Sequence, residues 1–122
     1  MATVTSLFIR SNGTLAGLAS AIEKKLGIQF RAEQDDIGVR LVCNSLCITL
    51  VMFGEHGLED DMGIDFSSYQ YELDIEIDRQ NVADDVCDLL QQNMTLLLFS
   101  KLRGQLSLEC IAVANLQRVL AR

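Results

Sequence analysis

The chain has 122 residues, 49% of them hydrophobic, with seventeen acidic and ten basic side chains and a formal charge of −7. That is enough apolar material for one domain over 1–122 with a single core, and too much for a disordered chain. An isoelectric point near 4.5 argues against nucleic acid or an anionic membrane as the direct ligand, since both would be repelled, and points to a basic protein as partner.

The first residues lack a basic start followed by a long apolar run, so neither a secretory signal nor a membrane span is expected there. Apolar stretches elsewhere fall far short of the roughly 20 residues that cross a bilayer. Residues 7–10 read as a first strand, followed by the polar turn Ser11, Asn12, Gly13. Thr14 then caps a helix in which Leu15, Leu18, Ile22 and Leu26 recur at helical spacing. Lys24 and Lys25 lie in its last turn, and Gly27 is placed to end it.

Beyond the helix, Ile28, Phe30 and Ala32 alternate with polar residues, Gln34, Asp35 and Asp36 form a turn, and Val39, Leu41 and Cys43 resume the alternation. This predicts a hairpin. The nearly unbroken apolar run over 46–53 predicts a central strand covered on both faces. Residues 54–68 form a long, glycine-containing, acidic connection that includes His56, of a length often reserved for function.

Tyr69, Tyr71, Leu73, Ile75 and Ile77 then alternate with Glu72, Asp74, Glu76 and Asp78. In an extended strand the four carboxylates line one face about 6.6 Å apart. Unit charges at that spacing repel by roughly 1–2 kcal/mol near a surface unless cations lie over them. Residues 55–88 hold twelve of the seventeen acids and a single base, Arg79. The plain alternative to a binding surface is an ordinary charged sheet face, neutralised within the chain by Arg31 and Arg40 on neighbouring strands.

Asn81 is the expected cap of a second helix, with Asp84 and Asp85 in its first turn and a stripe of Val82, Val86, Leu89 and Leu90. Lys101, Arg103 and Gly104 close it, with a kink near Asn93 as one way to place the apolar residues 96–99. Leu106, Leu108, Cys110 and Ala112 alternate as a strand, and Leu116, Val119 and Leu120 have helical spacing. The result is an α+β domain: an antiparallel or mixed sheet of about five to six strands packed against two main helices.

Catalytic patterns are weak. His56 with Glu55, Glu59, Asp60 and Asp61 matches no calcium loop or zinc-protease helix, and a solvated acidic loop, or a contact surface for a basic partner, is the better account. Cys43, Cys47, Cys87 and Cys110 sit among apolar neighbours without Cys-x-x-Cys spacing, as buried thiols in a reducing compartment do. There is no nucleophile elbow and no Gly-rich phosphate loop. The expectation is a cytoplasmic non-enzyme without metal or cofactor.

Ile22-Glu23-Lys24-Lys25-Leu26-Gly27 ending the first helix, and the segment from Asp60-Asp61-Met62-Gly63-Ile64-Asp65 to Asp78, carry a further likeness. With its size and acidity, the chain resembles the bacterial immunity proteins that neutralise toxins of contact-dependent growth inhibition and related polymorphic toxin systems. The resemblance implies a cognate toxin, commonly a nuclease, bound in the cytosol of the producing cell. It assigns no individual contact. From charge alone, the expected contacts are Glu59, Asp60, Asp61, Glu72, Asp74, Glu76 and Asp78, on a chain expected to be monomeric. The alternatives are an acidic secretion chaperone, which would dimerise, and a small metal-dependent or thiol enzyme using His56.

Overall fold

A computed structural model describes residues 2–34, 39–45, 48–54, 68–78 and 83–114. The elements in chain order are β1 (Ala2–Arg10), α1 (Leu15–Leu26), β2 (Arg31–Gln34), β3 (Val39–Ser45), β4 (Ile48–Phe53), β5 (Tyr71–Asp78), α2 (Asp84–Ser100) and β6 (Glu109–Ala114). The strands form one six-stranded sheet in the order β2-β3-β4-β5-β1-β6. Every neighbouring pair is antiparallel. The architecture is α+β, as the alternation and helix signals lead one to expect.

The first helix forms as the sequence dictates. Thr14 Oγ1 accepts from the Gly17 N–H at 3.0 Å, and Gly27 adopts the left-handed conformation at φ 67° while its N–H bonds back to the Glu23 carbonyl. Only glycine takes that backbone region without a Cβ penalty. Ile28 and Phe30, expected in a strand, instead fasten the helix end. Phe30 donates its N–H to Glu23 Oε2 at 2.8 Å, and both side chains pack against the core.

The second helix departs from the expectation in two ways. Its N-cap is Ala83, with no side-chain capping bond, so it starts after the expected Asn81, which lies outside the described residues. Its inward face is Cys87, Gln91, Leu98 and Leu102, all buried, with Met94 packed beside them. The expected stripe is a different face, for Val86 and Leu89 are exposed. Gln91 explains the phase: its Nε2 donates to Thr5 Oγ1 at 2.7 Å and to the Ile75 carbonyl at 3.0 Å. A polar side chain that finds two partners on β1 and β5 can occupy an inward position that a count of apolar residues passes over. The helix runs through Asn93 without interruption and widens only at a single π-helical turn over Lys101–Gln105. Gly104 lies inside that turn, and Ser107, at φ 54°, leads the chain into β6.

Both helices pack on one face of the sheet. Leu18, Ala19 and Ile22 of α1 and Leu98 of α2 form a cluster with Leu7, Ile9, Cys43, Leu50, Met52, Leu73, Ile75, Leu102 and Cys110. Cys43, Cys87 and Cys110 are buried free thiols, and burial pushes Cys110 up to about 11. The edge strand β2 is exposed along its length and carries an Arg31–Glu33 ion pair at 2.7 Å, the kind of charge that discourages edge-to-edge pairing. None of the described helices is long and apolar enough to cross a membrane.

Candidate functional site

Strand β5 places the carboxylate ladder. Leu73 and Ile75 point into the helix-covered core, so the period-two geometry sends Glu72, Asp74 and Glu76 to the other face. The entry to the strand is pinned from several sides. The Tyr71 hydroxyl donates to the Gly13 carbonyl, and Gln70 Oε1 accepts the Ser11 N–H at 3.1 Å. Arg10 donates to the Ser68 carbonyl at 3.1 Å, bridges to Glu109 of β6 at 2.8 Å and lies over the Tyr69 ring at 4.9 Å. Tyr69 and Tyr71 are thereby committed to holding the strand in place.

The rungs of the ladder differ sharply. Glu72 is in register with Phe8 of β1 and Phe53 of β4, and its relative exposure is 0%. This corrects its assignment as a surface contact: with a phenylalanine beside it on each neighbouring strand it is removed from solvent, so no partner can reach it in this conformation. Phe8, Ser6, Val42 and Phe53 on the same face are buried as well. The middle of the face away from both helices is therefore a dry patch with a carboxylate in it.

Asp74 and Glu76 are the accessible rungs, each half-buried. Asp74 Oδ1 accepts a 2.7 Å hydrogen bond from the buried Ser6 hydroxyl, which fixes the carboxylate over β1. Glu76 is in register with Val4 and Thr49. Burial, and then the neighbouring Asp74 charge, hold the Glu76 carboxyl above its ordinary value, while Arg40 acts the other way. Arg40 is stacked over Phe53 at 5.2 Å. Of the two arginines weighed from the sequence, Arg40 offsets part of the repulsion at Glu76, whose carboxyl stays raised, and Arg31 pairs with Glu33. Asp78 lies in register with Ala2, its side chain outside the described residues. Glu59, Asp60, Asp61 and His56 also lie outside them.

Sequence reasoning missed Ser6 and Phe8 as components of this face. The signal was present in the alternation of Ser6 and Phe8 with Leu7 and Ile9, but only knowledge that β1 pairs with β5 turns it into a neighbourhood. Chemically, the face offers two adjacent, partly desolvated carboxylates. A cation docking there meets a lower effective dielectric than in bulk water and is held more strongly than on an open surface. Among the described residues, no group of three or more His, Cys, Asp or Glu side chains is placed to hold a metal ion. No family model, curated protein or solved structure matches the chain.

Proposed function

We propose that this protein is an immunity-type inhibitor that binds a basic toxin domain through the acidic face of its sheet, in the cytoplasm of the cell that makes it. One observation carries the reading: Asp74 and Glu76 stand side by side, half-buried, on the sheet face opposite both helices. They belong to the segment 55–88 that concentrates the negative charge of the chain. A nuclease cleft lined with lysine and arginine to hold phosphates is the complementary surface, and carboxylates at strand spacing can occupy phosphate positions. The long-range field also accelerates encounter, which suits an inhibitor that must act before its target does. Glu59, Asp60, Asp61 and Asp78 extend the proposed contact; Glu72 does not belong to it. The buried thiols Cys43, Cys87 and Cys110 are in keeping with a reducing compartment.

The test is affinity capture of the tagged protein from its native cells at low salt, with the co-purified protein identified by mass spectrometry. A single basic toxin domain, released as salt is raised, is the expected result. Asp74→Asn with Glu76→Gln should then weaken binding at least about tenfold and flatten its salt dependence. Unchanged affinity and salt slope in that double variant would remove the acidic face from the interface.

A further inference from the structure

The outer face of α2 carries a second, unrelated surface. Leu89 and Leu96 are 57% and 68% exposed, and Val86 and Leu97 are 44% and 45% exposed. With Asn93 and Ser100, also exposed, Val86, Leu89 and Leu96 recur at positions 86, 89, 93, 96 and 100, and Leu97 flanks the row. Alternating steps of three and four residues trace one continuous seam on a helix. The seam lies on the side of α2 opposite the inward row of Cys87, Gln91 and Leu98, so it points away from the sheet.

The pattern is self-complementary. Asn93 stands in the middle, with Val86 and Leu89 on its N-terminal side and Leu96 and Leu97 on its C-terminal side. The charges are arranged the same way: Asp85 and Asp88 lie in the first turns, and Lys101 and Arg103 follow the C-terminal end. An antiparallel helix pair about a two-fold axis near Asn93 sets Leu89 against Leu97 of the second copy, leaves Val86 opposite Ser100 at the rim, and brings the acidic end of one helix to the basic end of its partner. Opposed helix dipoles add to that preference. A polar asparagine at the centre of an otherwise apolar seam fixes register, since any slip leaves its amide against leucine. This match of apolar positions and charge to their own reversed order is what an isologous interface requires.

From this arrangement we infer that α2 is a homodimerisation surface, with a second copy of the chain packed antiparallel on the Val86, Leu89, Asn93, Leu96, Leu97 seam. The inference is independent of the acidic face, which lies on the far side of the sheet. A helix of this length offers a footprint of roughly 26 Å by 10 Å, smaller than the approximately 800 Å² per partner of a standard stable interface. The dimer is therefore concentration-dependent.

Sedimentation velocity of the full chain over a micromolar to high-micromolar series tests it. The mass should rise from 13.5 kDa toward twice that value. Val86→Glu with Leu89→Glu, and separately Leu96→Lys with Leu97→Lys, should each raise the dissociation constant at least about tenfold. Mixing the two variants should restore association, because only an antiparallel pair sets the new glutamates of one chain against the new lysines of the other. A wild-type mass that stays monomeric across the series overturns the inference and leaves the seam to a different partner. So does dimerisation by the variants at the wild-type constant, or a mixture that stays monomeric while both variants keep the wild-type circular dichroism. If a charge variant does not fold, Leu89→Ser and Leu96→Ser, at the two most exposed positions, replace it, and dimerisation of both at the wild-type constant overturns the inference.

Discussion

Replacing Ser6 by alanine probes the contact that orients the acidic face. Ser6 is 1% exposed, and its hydroxyl donates to Asp74 Oδ1 at 2.7 Å. Hydrogen bonds to charged groups contribute about 1.5–3 kcal/mol net when well formed. Asp74 is half-buried, so water replaces part of the loss, and the lower end of that range applies. Ser6→Ala should therefore cost about 1–1.5 kcal/mol, which for a chain of this size lowers the melting temperature by about 3 to 7 °C. Asp74→Ala alone mixes this loss with relief of the repulsion between Asp74 and Glu76, so the pair must be isolated by a double-mutant cycle. Urea denaturation of wild type, Ser6→Ala, Asp74→Ala and the double variant should give a coupling of about 1 kcal/mol at neutral pH. A coupling below about 0.3 kcal/mol would mean that the bond contributes nothing in the folded protein, and the account of how Asp74 is held would fail.

Glu76→Gln should stabilise the protein at neutral pH. The folded-state value of Glu76 is raised, chiefly by burial and then by Asp74, so between the ordinary value of 4.5 and the raised one the folded state holds more proton than the unfolded state. Stability of the wild type therefore falls as pH rises through that window. The advantage of the amide should be fully present above the raised value, shrink as pH falls from there toward 4.5 and be absent below it; an advantage independent of pH in chemical denaturation would contradict the assignment. For the thiols, native protein treated with iodoacetamide at pH 8 should leave Cys87 and Cys110 unmodified by peptide mass mapping, since Cys87 is fully buried and the Cys110 thiol is pushed up to about 11. Rapid alkylation of either without denaturant would be incompatible with this packing.

What the sequence disclosed depended on how local the determining physics is. The first helix was legible in full, because Thr14, the apolar spacing and Gly27 act within one segment. The face assignment of the ladder was equally local, being fixed by the two-residue period of β5. Exposure was not: Glu72 is buried beside Phe8 and Phe53 while Asp74 lies beside Ser6 and Val51, and these neighbours come from strands distant in sequence. The phase of α2 was misjudged for a related reason. That helix has apolar residues on two sides, and the choice between them was made by Gln91 bonding to Thr5 and Ile75, contacts no periodicity reports. The same misjudged stripe, Val86 and Leu89, proved to be the start of the exposed seam. Sheet order was the least accessible quantity, since the position of β1 rests on pairings that a local pattern does not encode.

That position of β1 governs how the chain must fold. Hairpins β2-β3 and β3-β4 join consecutive strands, yet β1 lies between β5 and β6, and Arg10 meets Glu109 across 99 positions of sequence. The entropy of closing such loops is spent before the pairing returns any stabilisation. The nucleus of lowest entropic cost is thus the local meander, and docking of residues 2–10 onto the edge of β5, which β6 can only follow, is the later and slower step. Until that docking, the Leu7-Phe8-Ile9 run and the unpaired edge of β5 are exposed together. The state most prone to aggregate is then the one in which β1, and with it β6, has still to join the sheet.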